Sequence, residues 1–254
     1  MLKFSPANAK TTALYNVAEL TPYLQGKRKV YSLDLPAGHT CPGADLCKSM
    51  VVLQGEKHVI QDGPSCQFRC FTASQEVVYS NTRKARQHNL DCLTKMRGAE
   101  QCMRLMRDSL PANCGIVRFH VSGDFFKLAY LQGAIALAAE RPDVLFYGYT
   151  KSLNFLRRIT DWVDPSNGVV RNNFLLTVSE GGKFDSLIPQ LGVRTAKVVY
   201  SEAETNGLPI DHDDSHAATK GGSFALLLHG VQPAGSEASK ALSALKGKGS
   251  YARK

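Results

Sequence analysis

The sequence has no run of about 18 consecutive apolar residues, which excludes an ordinary membrane-spanning helix. Its opening, Met1-Leu2-Lys3-Phe4-Ser5-Pro6, lacks the apolar centre of an export signal, so a cytoplasmic protein with no membrane partner is expected. There is no internal repeat and no long low-complexity tract, which argues against a solenoid or a disordered chain. Acids are the scarce charge: 22 Asp and Glu stand against 31 Lys and Arg, a net charge of +9. A surplus of that sign and size favours a polyanionic partner, in the first place nucleic acid and more specifically DNA.

What is present suits one globular domain. The 254 residues are 43% hydrophobic and 21% charged, ordinary values for a chain with a substantial core. Seven cysteines are many for a protein that is not expected to be exported, and an odd number cannot pair completely. In a reducing compartment they are expected to be thiols or metal ligands rather than disulfides.

Val30–Leu35 alternates like a strand and ends in the turn Pro36-Ala37-Gly38. Residues 36–73 form a Cys-rich loop, with a short hairpin expected from Met50–Leu53 and His58–Gln61 around Gly55. From about residue 74 to 110 the pattern is helical, and Gly98 marks a break. Leu93, Met96, Met103, Met106 and Leu110 form a core stripe. Thereafter short apolar runs recur, each ending in polar residues: 116–121, 145–149, 174–178, 198–200 and 224–228. Helical stretches are expected at 125–140 and 153–162. Strand, polar tip, helix, strand is the signature of βαβ units. With the strand near 30–35 this gives about six parallel strands. The expected fold is therefore α/β, a partial parallel (βα)6-type barrel with an N-terminal Cys-rich metal loop, in a single domain over 1–254. An open doubly wound sheet is the alternative. Residues 246–254 read as a basic, mobile tail.

Cys41 and Cys47 are followed, after a gap of 18 residues, by Cys66 and Cys70. Two close pairs in one loop supply four thiolates, enough for a structural zinc or for the four irons of a cluster. Neither pair has the tight spacing of a zinc ribbon, which puts iron–sulfur ahead of zinc. His39 and His58 are substitute ligands. Cys92, Cys102 and Cys114 fall in helices or before a strand and read as small hydrophobes.

In Arg118-Phe-His120-Val-Ser122-Gly123-Asp124, strand alternation sets Arg118, His120 and Ser122 on one face and Phe119 and Val121 on the other. Asp124 reads either as the N-cap of the next helix or as a carboxylate for chemistry. Lys151, Glu180, Glu202 and His229 stand at the ends of later strands, the rim where α/β enzymes gather functional groups. His120, Asp124, Glu180 and Glu202 are the catalytic candidates. Arg83, Lys84 and Arg86, on a basic helix continued by Lys95, Arg97, Arg104 and Arg107, are candidates with Lys151 for contact with nucleic acid. Tyr147 and Tyr149 are aromatic candidates for stacking on a base.

The runs Leu35-Pro-Ala-Gly-His-Thr-Cys41-Pro-Gly-Ala, Cys66-Gln-Phe-Arg-Cys70-Phe, His120-Val-Ser-Gly-Asp124-Phe-Phe and Phe146-Tyr-Gly-Tyr-Thr150-Lys-Ser-Leu153 resemble the bacteriophage gene product 88 family. The resemblance implies a phage or prophage source, hence a host-cell cytoplasm, and no settled activity. The order of strand, Cys loop, helix, strand and Ser122-Gly123-Asp124 is also similar to radical S-adenosylmethionine enzymes. That likeness implies a cluster, S-adenosylmethionine and a partial barrel. The third cysteine of their CxxxCxxC motif is replaced here by Ala73. If Cys41 and Cys47 complete the ligand set, no iron stays open for that cofactor. A functional likeness to DNA 7-deazaguanine transglycosylases implies Asp124 as nucleophile, helped by Asp34 or Glu180, and a structural zinc.

The leading expectation is thus a DNA-base-modifying enzyme with a Cys-held iron–sulfur cluster. The alternatives are a guanine transglycosylase inserting a 7-deazaguanine with structural zinc, and a non-catalytic, metal-stapled DNA-binding protein.

Overall fold

In the computed structural model the described residues are 1–160 and 162–245; the expected basic tail at 246–254 lies outside them. The chain begins with β1 (Phe4–Pro6), short 3-10 turns over 11–20 and α1 (Thr21–Leu24). Then come β2 (Lys29–Leu33), β3 (Ser49–Gln54), β4 (Lys57–Asp62), α2 (Phe71–Val78), α3 (Ser80–Thr94) and α4 (Ala99–Ser109). The second half runs β5 (Cys114–Phe119), α5 (Leu128–Glu140), β6 (Leu145–Thr150), α6 (Leu153–Leu156), β7 (Val169–Arg171), β8 (Phe174–Ser179), α7 (Ile188–Leu191), β9 (Thr195–Val199), α8 (Ser215–Ala218), β10 (Phe224–Leu227) and α9 (Glu237–Ala244).

The main sheet follows the order β1-β2-β5-β6-β8-β9-β10. All pairings from β2 to β10 are parallel; β1 and β7 are antiparallel additions. Six parallel strands in chain order agree with the six expected from the sequence. The order never reverses, so the switch point of a doubly wound sheet is missing. β1 and β10 are the two edges of this path.

Both faces of the sheet are covered, which is why β5 is buried along its whole length and carries no polar alternation outside Arg118. One face, with Val117, Phe119, Phe146, Phe174 and Leu176, packs on Leu93, Met103, Met106 and Leu131 from α3, α4 and α5. The methionine stripe is core, as its spacing requires. The other face, with Val30, Ile116, Tyr147 and Leu175, is covered by Leu14 and Leu20 from the N-terminal turns and by Ala217 and Ala218 of α8.

Gly98 marks a break, just before α4, as expected, but the helical stretch before it is broken again at Tyr79, an extended residue between α2 and α3. The helix expected at 153–162 is reduced to the single turn of α6, and that expected from 125 starts at Leu128. Among the described residues no helix is long and apolar enough to cross a membrane.

Candidate active site at the strand ends

The hairpin β3–β4 explains how two distant cysteine pairs share one region. Its strands pair from Ser49↔Asp62 at the base to Gln54↔Lys57 at the tip. The 18 residues between Cys47 and Cys66 therefore run out and back, and the two pairs meet at its base. Ser49, fully buried there, touches the second pair: its hydroxyl lies 3.6 Å from Cys66 Sγ and accepts the Cys70 N–H at 3.3 Å. Lys48 Nζ donates to the carbonyls of Gly38 and Cys41 at 2.6 and 3.0 Å, tightening the first turn of the loop.

The loop is fastened to the sheet by its backbone. Leu46 N–H donates to Gly181 O at 3.0 Å, and Lys183 N–H donates to Gly43 O at 2.9 Å. A Cβ on Gly43 would sit 2.0 Å from Lys151 O, so only glycine lets the loop lie directly on the end of β6.

Cys41, Cys47 and Cys70 line a cavity of about 190 Å³ at the carboxyl ends of the parallel strands. Burial pushes the Cys41 thiol well above its ordinary value, with Asp124, Cys70 and Cys47 adding to the rise. Burial also pushes Cys47 up to about 11, against the pull of Lys151. Cys66 is raised mainly by burial, and its charge is felt at Cys47. All seven cysteines are unpaired thiols. Among the described residues, no three His, Cys, Asp or Glu side chains converge to ligating distance. Cys66 Sγ donates to Phe68 O at 3.3 Å, and Cys70 Sγ rests 3.1 Å from Thr72 Oγ1.

Asp124 is the best-anchored acid of the rim. Oδ1 accepts from Thr150 Oγ1 at 2.7 Å and from Phe125 N–H at 2.6 Å; Oδ2 accepts from Lys151 N–H at 2.9 Å and Ser152 Oγ at 3.2 Å. Burial raises its pKa to about 6, although all four donors favour the carboxylate. The N-cap reading is corrected: α5 starts at Leu128 and its cap residue is Lys127, so Asp124 stitches the end of β5 to that of β6. Asp34 does the same one strand earlier, accepting Val121 N–H at 2.7 Å and Ser32 Oγ at 2.9 Å.

His120 departs from its expected face. β5 ends at Phe119, and strand alternation stops there. The imidazole packs among Phe119, Phe125 and Tyr130, with Nε2 hydrogen-bonded to the Tyr130 hydroxyl at 2.8 Å. Burial, helped by Arg118, lowers its pKa to about 3, so it is neutral. Glu180 accepts from Thr195 Oγ1 at 2.6 Å and lines an adjoining groove, while Glu202 is exposed on a 3-10 turn away from the cavity.

The expected basic contacts divide. Lys84 is exposed. Arg83 donates to the Glu76 carbonyl, and Lys151 Nζ donates to Ser179 Oγ and O at 2.9 and 3.0 Å and to Glu180 O. Arg86 is a correction: it is 4% exposed and donates to Glu76 Oε1 at 2.8 Å, because an interior carboxylate needs a partner. His39 is bound to Val51 O, and His58 stands exposed near the hairpin tip, so neither faces the cysteines.

Three participants escaped the sequence. Glu76, 1% exposed, accepts from Ala37 N–H, Ser122 Oγ and Arg86, joining α2 to two strand tips. Lys10 and Asp214 meet over the sheet: Lys10 Nζ lies 3.0 Å from Asp214 Oδ1, while Arg118 Nη1 and the Tyr147 hydroxyl donate to Oδ2. Burial opposes ionisation of Asp214, but Arg118 and Lys10 prevail and hold its pKa below the ordinary carboxylate value. Lys10 lies in a turn with no motif around it, and nothing local predicts its partner.

Against models of known families, residues 2–246 match Gene product 88. No functionally curated protein and no solved structure matches the chain.

Proposed function

We propose that this chain, which belongs to the gene product 88 family, is a nucleic-acid-modifying enzyme whose reaction centre is the cavity at the strand ends, with Cys41, Cys47, Cys66 and Cys70 holding an iron–sulfur cluster. The observation that carries this reading is the hairpin, which brings two cysteine pairs to one base and turns three of their thiols into the wall of a cavity shared with Asp124. Four half-buried thiols at one hairpin base suit a cationic centre that displaces their protons. Rotations about Cys66 and Cys70 would exchange weak thiol contacts for metal bonds. The chain-order parallel sheet supports a partial barrel, in which such a rim is the usual place for chemistry.

A nucleic-acid substrate is supported by the net charge of +9 and by the exposed Lys84, Lys95, Arg97, Arg104 and Arg107. The base-exchange alternative asks Asp124 to attack a sugar carbon. Its oxygens are already committed to four donors, so we rank it below the cluster reading. A purely DNA-binding protein with a structural zinc leaves the cavity at the strand ends without a role.

Anaerobically purified protein should be brown and carry about four irons with matching sulfide per chain. Cys47→Ala and Cys70→Ala should lose them, and Cys92→Ala should not. Protein that holds neither iron nor zinc, with stability indifferent to chelator, would overturn the reading; one zinc and no iron would move it to the structural-zinc alternatives.

A further inference from the structure

We propose that His120 is a hydrogen-bond donor to the molecule on which the cavity acts, its Nδ1–H meeting a carbonyl oxygen or an aromatic ring nitrogen such as the edge of a nucleobase presents. His120 lines the cavity although it is only 4% exposed. It stands on the boundary between cavity and core. Phe119, Phe125 and Tyr130, the rings packed around it, are not part of the cavity wall. The two ring nitrogens are in different situations. Nε2 is paired with the Tyr130 hydroxyl at 2.8 Å. Nδ1, on the other side of the ring, is buried and has no hydrogen-bond partner among the described residues. A buried polar atom left in that state is rare, and it points to a partner that the chain itself does not supply.

The tautomer follows from Tyr130. Its side chain is fully buried, and His120 Nε2 is its one hydrogen-bond partner among the described residues. If Nε2 carried the proton, it would donate to the phenol oxygen, and the phenol's own hydrogen would have no acceptor. Nδ1 would then be a second unsatisfied atom. With the phenol donating to Nε2, a single group is left over, the Nδ1–H. Two buried groups without partners cost more than one, so Tyr130 fixes the proton on Nδ1.

Burial, with Arg118 adding to it, lowers the imidazole's pKa to about 3, so the donor carries no charge at neutral pH. An uncharged donor suits an uncharged acceptor. The hydroxyls of Ser122 and Thr150 on the same wall are already committed, donating to Glu76 and Asp124. A base taken out of its stack is read by hydrogen bonds to its edge, and the edge of every base carries a carbonyl oxygen or a ring nitrogen. His120 supplies such a bond from a wall that also holds Asp124 and three of the cysteines.

This role rests on reading the cavity as the reaction centre, and not on which metal the cysteines hold. The test uses the full chain, with adenosine, cytidine, guanosine and uridine as probes, titrated calorimetrically. At least one should bind saturably. His120→Phe combined with Tyr130→Phe replaces the bonded pair by two rings and strands no hydroxyl; its affinity should fall about tenfold. Tyr130→Phe alone changes nothing in the cavity wall but frees the proton to leave Nδ1. It should weaken binding severalfold, and it gives a reading even if the double variant does not fold. Neutron diffraction from deuterated crystals should show deuterium on Nδ1 in the parent, and deuterium no longer confined to Nδ1 in Tyr130→Phe. Deuterium on Nε2 in the parent, no saturable binding of any probe, or equal affinities in parent and variants would overturn the role. Metal content measured on the same samples separates the two ideas. Metal-free protein that binds a nucleoside through His120 leaves the donor standing and sinks the cluster, whereas metal-replete protein that binds none of the four sinks the donor alone.

Discussion

Asp124 Oδ2 accepts the backbone N–H of Lys151 at 2.9 Å while Oδ1 is held by the Thr150 hydroxyl, so one carboxylate fixes the end of the neighbouring strand. In Asp124→Asn an amide NH2 would face groups that themselves donate. Stability should fall by about 1–3 kcal/mol, the cost of leaving a buried polar group unsatisfied. Thr150→Val should cost less, about 1 kcal/mol. Urea titration at neutral pH checks both. An Asp124→Asn variant as stable as the parent would show that the carboxylate does not organise the rim, and any loss of activity would then belong to its chemistry.

Gly43 couples the cysteine loop to the end of β6, since an added Cβ would fall 2.0 Å from Lys151 O. Backbone at that distance cannot give way, so the loop must lift. Gly43→Ala should bind much less metal than the parent while keeping the far-ultraviolet circular dichroism of the fold. Elemental analysis after anaerobic purification reads the result; unchanged metal content would mean that the loop's seat on β6 is irrelevant to the thiols.

His120 and His229 both have pKa values lowered to about 3, first by burial. Their folded-state values lie below the unfolded value of 6.5. The unfolded chain therefore binds more protons between these limits. The associated stability is fully present above about pH 6.5 and is lost as pH falls toward 3. Asp124, raised to about 6, works in the opposite sense between its unfolded value of 3.8 and 6, so the comparison is made against a variant. His120→Gln should flatten the pH dependence by up to about 1.4 kcal/mol per pH unit between pH 4 and 6. Parallel parent and variant curves in denaturant titrations would contradict a neutral buried His120.

Arg86 and Lys84 should behave oppositely although two residues apart on one helix. Arg86→Met strands Glu76 as an unpaired interior charge and should cost about 3–5 kcal/mol. Lys84→Glu should leave stability nearly unchanged. If the exposed basic residues of α3 and α4 track phosphates, Lys84→Glu with Arg104→Glu will flatten the dependence of DNA affinity on salt. Equal salt slopes in parent and variant would remove this face from any DNA interface.

The gene product 88 motifs and the family match, the number of parallel strands, the hairpin around Gly55 and the methionine core stripe were all legible, because each depends on residues close in sequence. The strand tips were legible as places but not as roles. Glu180 and Glu202 looked equivalent to Asp124, yet one bonds Thr195 and the other stands in solvent. Alternation correctly put Arg118 opposite Phe119, then failed for His120 because it applies only while the backbone stays in the strand.

Local chemistry therefore determined the elements of this protein: periodicity, turn residues and cysteine spacing act over a few residues and need no partner from elsewhere. The tertiary structure alone decided which charges are spent. Arg86 was claimed by Glu76, Lys151 by the carbonyls at the end of β8, and Asp124 by the turn after β6. Lys10 and Arg118 were brought from distant parts of the chain onto Asp214. A buried charge must be matched by whatever group the fold carries to it, and pairing between distant segments leaves no periodic trace in the sequence.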